Sequence, residues 1–313
     1  MKPSTLFGLI VCNLIWSFHP TMGKIVMAEV SPSTAAWGRY ASTFLAYFVV
    51  VLFMRTPLSE AFARPNRTRD GVLLLALGFM AFCFSPLTHM LGLSGTQATD
   101  SSLIIAMEPL ITILLARVFL RERLSRFQIL VFATAFLGFL LLSGLTPQGL
   151  GAGWSPHFGA NLLLLFSLCG EAAYSVIGKP LLERYAPARV FGTASLVGAA
   201  CLTLAVLSVR GPGFLSEILG MSAPAWLGLF WLGPLGTTAT YLYWMFALRH
   251  APVATLALTI FIQPLCGAIW GYLILGDRLT PVQTAGGLLL LGAVFAETAR
   301  HMTRRANAAP ALL

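Results

Sequence analysis

Glu108-Pro109-Leu110-Ile111-Thr112-Ile113-Leu114-Leu115 and Gln263-Pro264-Leu265-Cys266-Gly267-Ala268-Ile269-Trp270 read as one apolar segment written twice, 155 residues apart. Working outward, the same shift lays Gly23-Lys24 on Gly178-Lys179, Pro32 on Pro187, Arg123-Leu124 on Arg278-Leu279 and Gln128 on Gln283, without a gap. A repeat this long is two copies of one unit, not a solenoid of short ones. It divides the chain into residues 1–150 and 151–313.

The repeated unit is almost wholly apolar. Hydrophobic residues make up 57% of the 313 and charged residues 10%, against about 25% charged in a soluble domain. A membrane span takes about 20 apolar residues at a rise of about 1.5 Å each. Such runs fall near 5–24, 33–54, 71–92, 97–120 and 126–143, then 159–180, 188–209, 224–248, 253–275 and 281–299. Hydrocarbon offers no water to an open sheet edge, so all ten are expected as helices. The expected fold is therefore an all-α polytopic membrane protein. The first run follows Lys2 like a secretory leader, but Pro20-Thr21-Met22-Gly23-Lys24 stands where small residues would mark cleavage. It reads as a retained span.

Five spans per copy is odd, so the second copy must enter the membrane from the opposite side, giving two inverted five-helix repeats. The charges agree. With the N-terminus inside, sixteen Lys and Arg fall at cytoplasmic ends, among them Arg55, Arg64, Arg67, Arg69, Arg117, Arg121, Arg123 and Arg126. Only Lys24, Arg39, Arg210 and Arg278 fall outside. That satisfies the positive-inside rule and places both termini in the cytoplasm. It also accounts for the net charge of +9 without nucleic-acid binding, which needs a soluble basic face. Cys12, Cys83, Cys169, Cys201 and Cys266 all lie within spans and read as small core residues, with no disulfide framework or metal site. The connections are short, and the Gly-rich stretch near 144–158 joins the halves.

Pro109 and Pro264 each remove a backbone hydrogen bond near mid-span. Paired breaks in inverted halves point to a central binding site. Gly267-xxx-Gly271, matched by Thr112-xxx-Ala116, lets helices approach closely, as do Gly286-Gly287 and Gly292. Recurrence in both halves favours packing inside one molecule over a dimer face, leaving a monomer or a homodimer.

Certain stretches are recognisable. Ala98-Thr99-Asp100-Ser101-Ser102-Leu103-Ile104, Glu108-Pro109-Leu110 and Phe119-Leu120-Arg121-Glu122-Arg123-Leu124 resemble the signature of EamA-type members of the drug/metabolite transporter superfamily. So do Ala251-Pro252-Val253-Ala254, Gln263-Pro264-Leu265 and Leu275-Gly276-Asp277-Arg278-Leu279. Ile15-Trp16-Ser17 through Gly23-Lys24 looks like the family's opening motif, and Arg39 like its span-two arginine. The resemblance covers essentially the whole chain and implies ten helices in two inverted repeats. It also implies transport of amino acids, other metabolites, or sugar phosphates and nucleotide sugars in relatives. His19-Pro20, Arg121 and Glu171 depart from the family pattern and leave the substrate open.

Ionisable groups inside hydrocarbon cost a few kcal/mol or more and are functional candidates by default. Glu108 lies about eleven residues into the fourth span and Glu171 about twelve into the sixth, both near midplane. Carboxylates at that depth are placed to bind and release protons as a site alternates between dry and wet. For Glu108 the competing role is a packing hydrogen bond beside Pro109; Glu171 has no such alternative. His19 and His89 titrate near neutrality in general, though a lone histidine in a bundle is more often a hydrogen-bonding residue. Aromatic stripes run along the spans: Trp37, Tyr40, Phe44 and Tyr47; Tyr241 and Trp244; Trp16 with Asn13 and Pro20; Tyr174 with Glu171. Each alone reads as core. Together they suggest an aromatic-walled cavity, lined by Trp16, His19, Trp37, Tyr40, Glu108, Glu171, Tyr174, Tyr241 and Gln263, for a substrate with an apolar body and a polar head. Lys24, Lys179 and Arg39 read first as snorkelling anchors at span ends.

No His-Glu-x-x-His, Gly-rich phosphate loop or Ser-centred elbow occurs, so neither an enzyme nor a cofactor is expected. Without a nucleotide motif, the driving force must be an ion or substrate gradient. The expected function is secondary transport by alternating access in the cell inner membrane, exporting amino acids or similar small metabolites. The alternatives are a facilitator or importer of a vitamin- or nucleoside-like compound, and a flippase for a lipid head group.

Overall fold

The computed structural model describes residues 3–120, 125–144, 156–250, 259–260 and 262–308, and their regular structure is entirely helical. The stretches at 121–124 and 251–258, most of the link between the halves, and the side chains of Tyr174 and Lys179 lie outside the described residues. Helices α1 (Pro3–Ser17) and α2 (His19–Met27) together form one apolar span. Between them the Ile15 carbonyl accepts from the Phe18 N–H (3.3 Å) and the Trp231 indole N–H (3.1 Å). Helix α3 (Pro32–Phe53) starts where Ser31 accepts from the Thr34 N–H, with Pro32 in the first turn, where its missing N–H is no loss.

Helix α4 (Thr68–Ser94) carries a π turn at Met80–Phe84. Next come α5 (Ala98–Ile105) and α6 (Glu108–Leu120), bent against each other by 43°. The break falls just before Pro109, so the proline sits in the first turn of a new helix instead of kinking a continuous one. Helix α7 (Arg126–Leu142) opens on a capping box of Ser125 and Gln128. The second half supplies α8 (Pro156–Leu182), α9 (Pro187–Arg210), the short α10 (Phe214–Leu219), α11 (residues 223–250), α12 (Ile262–Leu275) and α13 (Pro281–Ala308). Within α11 lies a second π turn, Trp231–Ala239. The shift of 155 carries Met80–Phe84 onto residues 235–239, inside that turn.

Among the described residues, six helices are long and apolar enough to cross a membrane, or seven with the bent pair taken as one; α7 and α12 are shorter apolar helices. Large apolar side chains face outward, including Phe53, Val209, Leu204, Leu130 and Phe295, while Asn13, Thr21, Arg39, Asp100, Ser195 and Thr237 are buried. Water would not tolerate that arrangement; lipid requires it.

The two halves share one core. Helix α8 lies along α4, α9 along α3 and α4, α11 against α3 and α1, α12 along α5 and α1, and α13 along α7. Where α13 crosses α7, a Cβ on Gly286 would fall 2.5 Å from the Leu142 nitrogen and 2.7 Å from the Gly138 carbonyl oxygen, so only glycine permits the approach. Gly267 and Gly271 likewise face Ser102 and Thr99 of α5, so the small-residue spacing serves packing within the chain.

Carboxylates tie the halves together at one end of the bundle. Glu29 accepts from the Ser222 amide (2.7 Å) and hydroxyl at the start of α11, and Glu217 accepts from the Ser31 amide (3.0 Å). Asp277 accepts from the Thr99 amide (2.9 Å) and hydroxyl (3.1 Å) at the start of α5. At the other end, Asp70 accepts from Arg184 (2.5 Å) and Tyr185 (3.1 Å).

Candidate substrate site

Helix α8 has a face that is small where it meets α4: a Cβ on Gly170 would overlap Met80 and Ser85. That close approach seats Glu171 against the π turn. The Ser85 hydroxyl donates to Glu171 Oε1 (3.0 Å), and the Tyr241 hydroxyl, from α11, donates to Oε2 (3.4 Å). A carboxylate from the second half is therefore held by a serine of the first half and a tyrosine of the second.

An aromatic wall surrounds it. Trp16 lies edge-on to Tyr241 with centroids 5.6 Å apart and 5.2 Å from Trp244, its indole N–H donating to the Gly236 carbonyl (2.8 Å). Tyr241 stacks on Phe191 (6.0 Å) and reaches Phe82 (6.5 Å), which meets Tyr40 edge-on (5.5 Å). Phe82 and Phe191 did not stand out in the sequence, where they are two of 22 phenylalanines.

Arg39 belongs here too. The sequence places it near the end of a span, where it reads as an anchor, yet the residue is only 8% exposed. Its Nε–H donates to Thr237 Oγ1 (3.3 Å), and the guanidinium carbon lies 5.2 Å from the centroid of the Tyr40 ring. Thr237 donates onward to the Leu232 carbonyl within the second π turn. His19, in the first turn of α2, presses its ring on Gly236 of the same turn, and its Nε2 is buried without a partner among the described residues. Two of the three π turns among the described residues thus carry site groups, a recurrent use of such bulges, the third being Gly271–Leu275 at the end of α12.

Other expected residues are placed differently. Glu108 opens α6 at the bend, and α6 packs along α8, the helix that carries Glu171. The Trp37 indole N–H donates to Thr203 (2.8 Å), and its ring packs edge-on against Phe214 (4.7 Å), a neighbourhood apart from Glu171. Gln263 donates to Asn13 (2.7 Å) beside a small cavity of about 10 Å³ lined by Trp16, Ser17, Pro20, Ser102, Ile105 and Gln263. His89 has serine hydroxyls at 3.5 Å from both ring nitrogens, Ser101 and Ser167. Lys24 reaches the Ser94 carbonyl (3.5 Å). Among the described residues no three His, Cys, Asp or Glu side chains converge as a metal site.

The EamA-like transporter family matches this chain twice, at residues 3–144 and 158–296. The chain belongs to that family. It is a transporter and a membrane protein on that footing. An uncharacterized transporter of Archaeoglobus fulgidus is 24% identical over 88% of this chain and 92% of its own length. A probable terminal-alkyne amino-acid exporter of Streptantibioticus cattleyicolor is 27% identical over 78% of this chain and 79% of its own. A riboflavin transporter of Fusobacterium nucleatum is 28% identical over 62% and 64%. One crystal structure matches with a TM-score of 0.62 over 97% of this chain and 100% of its own at 16% identity, a likeness of fold alone.

Proposed function

We propose that this EamA-family transporter is a secondary active exporter of amino acids or similar small metabolites, working by alternating access in the cell inner membrane. In this reading it has ten spans in two inverted repeats, residues 1–150 and 151–313, with both termini cytoplasmic and the Glu29 end outside. The protein acts as a monomer or homodimer on a small-molecule metabolite. The family match, repeated once in each half, and the pairing of every major helix across the halves support that organisation.

Glu171 carries the reading. It is a carboxylate inside the bundle, served by hydroxyls of both halves and walled by Trp16, Tyr241, Phe82 and Phe191. Rocking one half against the other changes its access together with its Ser85 partner, which belongs to the opposite half, while Tyr241 moves with it. A carboxylate that takes either a proton or a substrate ammonium exchanges the two, which couples export to a proton gradient; Glu108 at the nearby bend is the second proton carrier. Trp16, His19, Tyr40 and Tyr241 line the substrate space in this reading, while Trp37 and Gln263 hold its frame. One relative named as a probable amino-acid exporter makes amino acids the first cargo to test.

The test is counterflow of pooled radiolabelled amino acids into proteoliposomes, with and without an imposed pH gradient. Saturable exchange stimulated by the gradient is the expected result. Its absence in folded protein would move the cargo to vitamin-like metabolites or to lipid. A groove of about 550 Å³ favours the lipid alternative: it runs beside α12, lined by Ile269, Tyr272 and Leu273, with Thr99, Asp277 and Arg278 at its polar edge. Scrambling of a fluorescent phospholipid by the same vesicles would establish it.

A further inference from the structure

Arg39 is a buried guanidinium with no ion pair among the described residues. It has five N–H donors, and the described residues fill one of them, through the neutral hydroxyl of Thr237. No carboxylate lies within 4 Å of it among the described residues. Burying a charge unpaired is costly, so a bundle that keeps one has a use for it. His19 adds a second unfilled group, since its Nε2 is buried and unpartnered against Gly236, the residue before Thr237. Unfilled polar groups from α3 and α2 thus converge on one π turn.

Glu171 stands on the same aromatic wall: Arg39 lies against the Tyr40 ring, Tyr40 meets Phe82, and Phe82 meets Tyr241, whose hydroxyl donates to Glu171. The two do not pair. Ser85 and Tyr241 hold the carboxylate, Thr237 and the Tyr40 ring hold the guanidinium, and each charge is therefore kept by neutral groups. Two opposite charges fixed apart in a low-dielectric site suit a molecule that carries both.

We infer that Arg39, assisted by His19, is the anion-receiving subsite of the transporter, binding a substrate carboxylate while Glu171 takes the substrate's ammonium. The inference rests on the transport function proposed above and narrows it to zwitterions, free α-amino acids whose uncharged side chains lie along Trp16, Tyr40 and Tyr241. The guanidinium fork fits a carboxylate bidentately, which a lysine does not.

The experiment compares L-leucine and L-phenylalanine with their carboxamides and with isovalerate and phenylacetate, which keep the carboxylate and lack the amine. Binding is read as thermal stabilisation of the purified full chain, transport as counterflow. Wild type should favour each acid over its amide by roughly tenfold or more, and R39Q should erase that ratio. If R39Q does not elute as a folded protein, T237V removes the hydroxyl that orients the guanidinium and should lower the ratio several-fold. Amino acids transported with acid and amide equivalent, or an unchanged ratio in the variants, would overturn the subsite and leave amino-acid transport standing. Arg39-dependent binding of the monocarboxylates, with no amino-acid exchange, would keep the subsite and overturn the amino-acid cargo. No stabilisation by any carboxylate would overturn the subsite outright.

Discussion

Ser85 shows how much one hydroxyl decides. It is buried, and its donor satisfies Glu171 Oε1 at 3.0 Å across the contact between the halves. Ser85→Ala should cost about 1–3 kcal/mol, because a buried acceptor is left unmet. The thermal midpoint in detergent measures it; a change inside about 0.5 kcal/mol, typical of a surface site, would mean Glu171 draws nothing from Ser85. Glu171 was legible in the sequence because a carboxylate in mid-span has few reasons to exist. Arg39 was not. Seven residues into α3 it looks like an anchor able to snorkel, and only the long-range placement of Thr237 and Tyr40 reveals a buried group. The stripe of Trp37, Tyr40, Phe44 and Tyr47, which by itself reads as core in the sequence, spreads over several neighbourhoods in the structure. Trp37 meets Phe214, Tyr40 meets Phe82, and Phe44 and Tyr47 both meet Phe62, Tyr47 reaching Phe191 as well.

Helices in this protein are positioned by close glycine contacts and by caps reaching across the halves. Gly286 meets the backbone of α7, whereas nothing lies within 4 Å of a Cβ placed on Gly292. Gly286→Ala should therefore separate α7 from α13 and sharply lower detergent stability, while Gly292→Ala should leave it unchanged or slightly raised. Equal effects of the two would show that spacing, not contact, governs the glycines. The sequence marks both alike, since composition does not say which face meets a neighbour. At the bundle end, the Ser222 hydroxyl and then its amide hold the Glu29 carboxyl below the usual glutamate range. A carboxylate depressed in the fold contributes stability that is complete above its unfolded value, about 4.3, and is lost as the pH falls through the lower folded value. The melting midpoint should drop on acidification below about pH 4, and less steeply in Glu29→Gln; parallel curves would deny Glu29 a part. The π turns were invisible beforehand, because an extra residue in a helical turn leaves no periodic signature over so short a stretch. Pro109 was visible as a break, but the structure sets it at the start of a helix, the one place where proline costs nothing.

At the scale of the molecule, the repeat of 155 residues and the apolar composition pointed to a membrane transporter, and the resemblance of the paired motifs pointed to the family, since none of these depends on long-range geometry. What joins the halves depends on it entirely. Glu171, Ser85 and Tyr241 lie 86 and 70 residues apart in chain order and meet only because α4, α8 and α11 cross there. An exporter driven by protons through that meeting point should fail in a specific way when the carboxylate is neutralised. The direct measurement is pH-gradient-driven amino-acid transport by proteoliposomes of wild type and Glu171→Gln, matched for folded protein. Gradient stimulation present in wild type and absent in Glu171→Gln is the expected result. Transport by Glu171→Gln that still responds fully to the gradient would contradict the central role given to this carboxylate.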